Sequence, residues 1–330
     1  MIEIIAEAAQ GFLGAPREKT ALLARFAAAA GADAVKFQLV YADELCTPDH
    51  RHYGLFRDLE MPDADWLALG AQCSQLRVGL YVDIFGPRSL ALAERMNVRG
   101  IKLHSTDMLN APLLEDVARS GIGRILLSAG GCYLEEIGRA VAVLRGKDVV
   151  LMHGFQGYPT GAGENQLARI AVLRARFPGL AIGFADHVPE ANAERTWLAG
   201  VAIGAGAIVI EKHLTTASVC KEEDHESALN PDEFAGFAAN LRLAAAAMGT
   251  TLEDPDFGMT EREKAYRKQM KKHVVAARDL EAGRVIGADD LSLKRTSAGE
   301  GVLYDLAEAV GRRVTRAVPA GAPVLAACLQ

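Results

Sequence analysis

The chain has no two cysteines close enough in sequence to open a zinc knuckle or a redox motif. Its five cysteines, Cys46, Cys73, Cys132, Cys220 and Cys328, are scattered. A disulfide framework and a structural zinc cluster are therefore not expected, and the thiols read as packing residues. Half of the 330 residues are apolar, yet they never gather into the run of about 18 that a membrane-crossing helix requires. A basic excess is missing too: 36 lysines and arginines face 42 aspartates and glutamates, for a net charge of −6. That balance leaves no extended stripe for nucleic-acid phosphates, so an anionic ligand has to be met by local groups. The opening residues, MIEIIAEAAQGF, carry acids where an export signal carries lysine or arginine, and no long apolar centre follows. A cytoplasmic protein is expected, bound to neither nucleic acid nor membrane.

What is present is a rhythm. Short β-branched and aliphatic runs recur at 3–7, 34–38, 78–83, 100–104, 124–128, 149–154, 181–186 and 207–213, with alanine- and leucine-rich segments of helical period between them. Eight β/α units over about 250 residues match a (β/α)8 barrel. No GxGxxG follows the first run, which counts against a doubly wound dinucleotide-binding sheet. The barrel is assigned to 1–252. The polar, charge-dense segment 253–272 reads as a linker. The rest, 273–330, holds two similar phrases, DLEAGRVIGADDL and AVPAGAPVLAACL, each with a glycine turn and a leucine end, and reads as a small β-rich, internally repetitive domain.

In a β/α barrel the carboxyl ends of the strands open onto one face, where polar residues are functional candidates. Here the strand ends carry Glu7, Lys36 and Gln38, Asp83, Lys102 with His104, Ser105 and Asp107, and Ser128. They continue with His153, Gln156 and Tyr158, Asp186 and His187, and Glu211, Lys212 and His213. Two lysines, two serines and the amides at Gly130 and Gly131 suit a phosphate, because ammonium groups supply charge while hydroxyls and amides supply directed donors. His187 and His213, at adjacent strand ends, suit a shared divalent metal, with Glu7 or Asp224 as a further ligand or base. Glu211 and Lys212 read either as part of this mouth or as a structural ion pair.

Several phrases in order, IIAEAAQGFLG, AGADAVKFQ, KLHSTDMLNAPLLEDVARSG, ILLSAGGCYLEEI, GYPT, GFADH, GAIVIEKHLT and EDHESALNPDEF, resemble the sialic acid synthase family. The tail, LEAGRVIGADDLSLKR and VGRRVTRAVPAGAPVLAACL, resembles the antifreeze-like SAF domain that ends those synthases. The resemblance implies condensation of phosphoenolpyruvate with an open-chain, often N-acetylated aldose, giving a nonulosonic acid and phosphate by C–O cleavage. It implies that Lys36, Lys102, Ser105 and Ser128 cradle phosphoenolpyruvate, with Gln38, Asp83 and Gln156 at substrate-facing positions. His187 and His213 become ligands of a divalent metal, manganese or alternatively magnesium. Glu7, Asp107, Tyr158 and Asp224 face the sugar or assist proton transfer. Arg295 corresponds to the arginine that the SAF domain lends to the partner chain's site in a domain-swapped homodimer.

Four departures surround this mouth. The loop after the first strand is apolar, GFLG, where the family is polar. Asp83 stands where a hydroxyl is usual, and a carboxylate there repels phosphate unless metal-bound or protonated. Gln156 replaces a common asparagine within an altered GFQGY phrase, and Asp107 shortens a usual glutamate. They point to an altered acceptor, and they leave open a synthase for a phosphorylated aldose or a catalytically inactive sugar-binding relative.

Overall fold

The computed structural model describes residues 2–154, 157, 160–249 and 256–330. The chain divides into two compact units, 1–249 and 250–330. In the first, eight parallel strands follow one another round a closed ring: β1 (Glu3–Glu7), β2 (Ala34–Gln38), β3 (Gly79–Ile84), β4 (Gly100–Leu103), β5 (Arg124–Ser128), β6 (Asp148–His153), β7 (Ala181–Asp186) and β8 (Val209–Leu214). Closure is made by β8 pairing with β1, Glu3 opposite Val209 and Glu7 opposite His213. A two-residue strand, β9 (Ala228–Leu229), adds to the end of β8.

Helices α1 (Pro16–Ala29), α2 (Asp63–Leu76), α3 (Pro87–Arg95), α4 (Ala111–Arg119), α5 (Leu134–Val143), α6 (Ala168–Arg176), α7 (Leu198–Gly204) and α8 (Pro231–Met248) follow the strands in turn. Their starts are encoded locally. Proline occupies the first turn of α1, α3, α4 and α8, where its missing N–H costs nothing. At α8 the Glu233 carboxylate also accepts from the Asn230 N–H at 3.0 Å.

Side-chain parity organises everything else. Successive strand residues face opposite sides, so each strand sends one set into the barrel and the other toward the helices. On β1 the inward set is Glu3, Ile5 and Glu7, one residue per level from bottom to mouth. The middle level is apolar: Ile5, Ala34, Tyr81, Leu126, Val150, Met152, Ala185 and Val209 form one buried cluster. Two inward glycines make room there. A Cβ on Gly183 would lie 2.3 Å from Met152 Sδ, and one on Gly100 would lie 2.8 Å from the Tyr81 ring. The outward set, with residues such as Ile4, Phe37, Val82, Ile101 and Ile210, merges with the helices into the large outer core.

The apolar loop after β1 belongs to that outer core. Phe12 is fully buried, edge-on to Phe37 of β2 and Trp66 of α2. Its departure from the family pattern is thus a packing change.

The second unit begins differently from the sequence reading. Within the expected linker lies a helix, α9 (Glu261–Met270), opened by Thr260, which accepts from the Glu263 N–H while the Glu263 carboxylate accepts from the Thr260 N–H. This TxxE capping box outweighs the lack of apolar period. Beyond it, β10 (His273–Ala276) pairs antiparallel with β11 (Leu291–Lys294). The two similar phrases build similar structure: left-handed turn glycines at Gly283 and Gly321, each followed by a 3-10 turn, Ala288–Asp290 and Ala326–Cys328. They are tied by reciprocal backbone bonds between Leu280 and Val318, 2.9 and 2.8 Å, over a core that includes Val274, Leu291, Val314, Val324 and Leu329.

Candidate active site at the carboxyl end of the barrel

The upper inward level is polar. Lys36, at the end of β2, is fully buried, and its Nζ is surrounded by carboxylates. It contacts Glu7 directly, lies 2.7 Å from Asp83 Oδ2 and 3.9 Å from Glu211 Oε1. Lys102 of β4 reaches the same Glu211 oxygen at 2.6 Å. Glu7 is pinned from its other oxygen by the Ala9 N–H at 2.6 Å. That bond requires Ala9 to turn into the left-handed region, φ 42°, a strained conformation for a residue with a Cβ and one held here beside the site.

Three carboxylates thus share two ammonium groups in a space closed to water. Burial is the largest influence on Glu7 and raises its carboxyl to about 8; Lys36 opposes this, while Glu211 and Asp83 add to it. Burial pushes Glu211 upward as well, but Lys102 and Lys36 outweigh it and hold that carboxyl down at about 2. For Lys36 burial favours the neutral amine, and Asp83, Glu211 and Glu7 overcome it, so its pKa is raised. With the Glu7 proton in place the cluster is neutral, two ammonium groups against Asp83 and Glu211.

Beside it stand His187 and His213, ring centroids 5.3 Å apart and planes inclined by 54°. Burial, then His187 and the lysines, push His213 well below the usual imidazole range, so its ring is neutral. Two imidazoles side by side are a chemically suitable pair for a borderline divalent ion. Among the described residues no three histidine, cysteine, aspartate or glutamate side chains converge as a ready metal cage.

Around this centre, His104 is also kept neutral, by burial and then by Lys102. Asp224 is half-buried in a left-handed turn, φ 62°; burial, then Glu223 and Glu226, raise it to about 6, while Lys36 is close enough to oppose the shift. Gln38 accepts from Gln10 Nε2 at 3.3 Å. Ser128 is buried at the end of β5, Ser105 is half-buried, and Asp107 accepts from Asn110 Nδ2 at 2.8 Å. Gln156 and Tyr158 lie outside the described residues. Arg295 belongs to the second unit, where it is exposed and its Nε donates to the Met270 carbonyl at 3.1 Å.

The structure corrects three assignments, all by parity. Glu211 and Lys212 form no ion pair: adjacent on β8, they face opposite ways, Glu211 inward to the lysines and Lys212 outward to Asp186 at 3.0 Å. Asp186 is therefore not a mouth residue. Nor is His153, which sits on the helix side of β6, 2.7 Å from the Asn165 carbonyl and stacked on Phe184, lining a cleft of about 480 Å³ with Arg169 and Val172. Conversely, Glu211 is a site residue that reading strand ends without parity left undecided. It stands two before His213, and that spacing alone puts both on one face. Asp83 meets a cation here: its Oδ2 accepts from Lys36 Nζ at 2.7 Å, so it competes with an anionic ligand for that lysine.

Fold and mouth together define a β/α-barrel enzyme class with a small C-terminal module. Residues 23–253 match the model of the NeuB family and residues 271–330 match that of the SAF domain. The spore coat polysaccharide biosynthesis protein SpsE of Bacillus subtilis strain 168 is 31% identical over 266 residues, 76% of this chain and 70% of that protein. The N,N'-diacetyllegionaminic acid synthase of Legionella pneumophila is 26% identical over 321 residues, 89% of this chain and 85% of its own. The crystal structure of N-acetylneuraminic acid (sialic acid) synthetase from Leptospira borgpetersenii, in complex with citrate, superposes with a TM-score of 0.73 at 25% identity, covering 82% of this chain and 92% of that one. The chain belongs to the NeuB family, a family of nonulosonic acid synthases.

Proposed function

We propose that the protein condenses phosphoenolpyruvate with the open-chain aldehyde of a sugar, an N-acetylated aldose by analogy with its relatives. A new bond joins C3 of phosphoenolpyruvate to the aldehyde carbon, water adds its oxygen at C2, and the C2–O bond to phosphate breaks. Phosphoenolpyruvate, aldose and water thus balance the nonulosonic acid and inorganic phosphate. The observation that carries this reading is the buried Lys36–Lys102 cluster beside a histidine pair at the ends of adjacent strands.

In this scheme Lys102, backed by Ser105, Ser128 and the amides at Gly130 and Gly131, receives the anionic substrate, and Lys36 contributes to the extent that Asp83 releases it. Glu7, protonated at neutral pH, can donate to the aldehyde oxygen as it becomes a hydroxyl. Asp224, ionised above about pH 6, can take a proton from the attacking water. His187 and His213 would hold a divalent ion, manganese or magnesium, which supplies Lewis-acid polarisation of an oxygen when bound. By the resemblance, Arg295 is assigned to the active site of a partner chain in a domain-swapped dimer; the cytoplasm stays the expected location.

The test is phosphate release from phosphoenolpyruvate with manganese against a panel of aldoses, with the product mass measured. Release that depends on one sugar, with a product heavier by pyruvate, supports the reading and names the acceptor. No release with any sugar despite manganese binding would favour a sugar-binding protein without turnover.

A further inference from the structure

Lys212 is buried completely on the helix side of the barrel, a place where burying an ammonium costs several kcal/mol and an apolar residue would serve packing better. Its contacts indicate what it does there. Nζ donates to Asp186 Oδ1 at 3.0 Å and to the Val188 carbonyl at 2.9 Å. The same Asp186 oxygen accepts from the Val188 N–H at 2.9 Å. Both backbone polar groups of Val188 are therefore held by one buried ion pair. The residue between, His187, is gripped at its carbonyl by Ser227 Oγ, 2.8 Å. Asp186 and Lys212 are register partners on β7 and β8, and His213 follows Lys212 directly.

We infer that Lys212 is a positioning residue: from outside the barrel it fixes the 186–188 backbone so that His187 faces His213 at metal-sharing distance. The inference rests on the reading of these histidines as the metal pair. One strand then does both tasks, carrying one imidazole inward and holding the chain of the other in place. Groups that orient metal ligands in this way typically matter 10- to 100-fold in metal affinity, as an order of magnitude.

The experiment is a manganese titration of the full-length protein without substrate, by calorimetry and by the electron paramagnetic resonance of free Mn2+, for wild type and Lys212→Met, with steady-state kinetics alongside. Manganese affinity should fall roughly 10- to 100-fold. Turnover should recover at saturating manganese, with KM for phosphoenolpyruvate unchanged. Lys212→Met leaves Asp186 buried without its charge partner; if that variant fails to fold, Asp186→Asn combined with Lys212→Met removes both charges and should show the same loss. Wild-type manganese affinity in a folded variant, whatever its turnover, overturns the inference. Failure of the unaltered protein to bind manganese overturns the metal reading itself and this inference with it.

Discussion

The two ends of the barrel are built from similar residue types and resolve them in opposite ways. At the bottom, Glu3 of β1 accepts from Tyr81 Oη and Arg99 Nη1, both at 2.9 Å, and from Arg124 Nη2 at 2.9 Å; Arg124 also donates to Tyr81 Oη and pairs with Asp148. Glu3, Arg99 and Arg124 line a shallow opening of about 440 Å³. Glu3 meets two arginines there and Arg124 meets two carboxylates, and arginine supplies the planar fork that makes this possible. At the mouth, lysines do the pairing, carboxylates outnumber them, and buried oxygens such as Asp83 Oδ1 and Glu211 Oε2 have no hydrogen-bond partner among the described residues. A satisfied network is a plug, whereas an unsatisfied one is a site waiting for a ligand. The strands are the same, so the difference lies in which inward position each residue takes.

The sharpest way to break the comparison is to damage each end and see what is lost. His213→Ala, at the mouth, should cut metal-dependent turnover by at least about a hundredfold and leave the circular dichroism spectrum and melting temperature close to wild type. Arg124→Met, at the bottom, should do the reverse. It removes the arginine partner of one Glu3 oxygen and one of the two hydrogen bonds of the Tyr81 hydroxyl, at a cost of roughly 2–3 kcal/mol in chemical denaturation, with kcat unchanged once the protein is folded. Equal loss of stability from both would show that the two ends are not functionally distinct.

A smaller effect probes the mouth's surplus of negative charge. Asp83→Asn keeps the shape but removes the anion that competes for Lys36, so KM for phosphoenolpyruvate should fall about tenfold, a gain of about 1.4 kcal/mol. An unchanged or higher KM would mean that Lys36 does not take part in binding the anion. A further effect is on pH. Glu7 is raised from 4.5 to about 8 in the fold, so between those values the native state holds a proton that the unfolded chain has released. Its contribution to stability is complete below about pH 4.5 and is lost as pH rises through 8. Glu7→Gln has nothing to titrate; the stability of wild type relative to this variant should therefore fall from pH 5 to pH 8. A difference independent of pH would remove the proton from Glu7. Glu211, held at about 2, acts in the opposite sense and only in acid, losing its contribution as pH falls below 4.5.

Much of this was legible beforehand. The eight strands lie within a few residues of their expected positions, and Glu7, Lys36, Asp83, Lys102, His187 and His213 do meet at the mouth. The misreadings came from treating every polar residue at a strand end alike. His153, Asp186 and Lys212 end strands as surely as Lys36 does, but they occupy the other parity. Arg295, Tyr158 and the altered position Gln156 remain matters of resemblance.

The sequence by itself determined the alternation of strand and helix, the break after Gly249, the paired glycine turns of the tail and the family. These are local or periodic signals that any segment carries within itself. Only the tertiary structure decided that Glu7 keeps its proton while Glu211 loses it, that Asp83 pairs with Lys36, and that Lys212 braces the far side of the histidine pair. The physical reason is that protonation and ion pairing depend on burial and on neighbours brought from far along the chain, as in the bond from Lys102 to Glu211 across 109 positions.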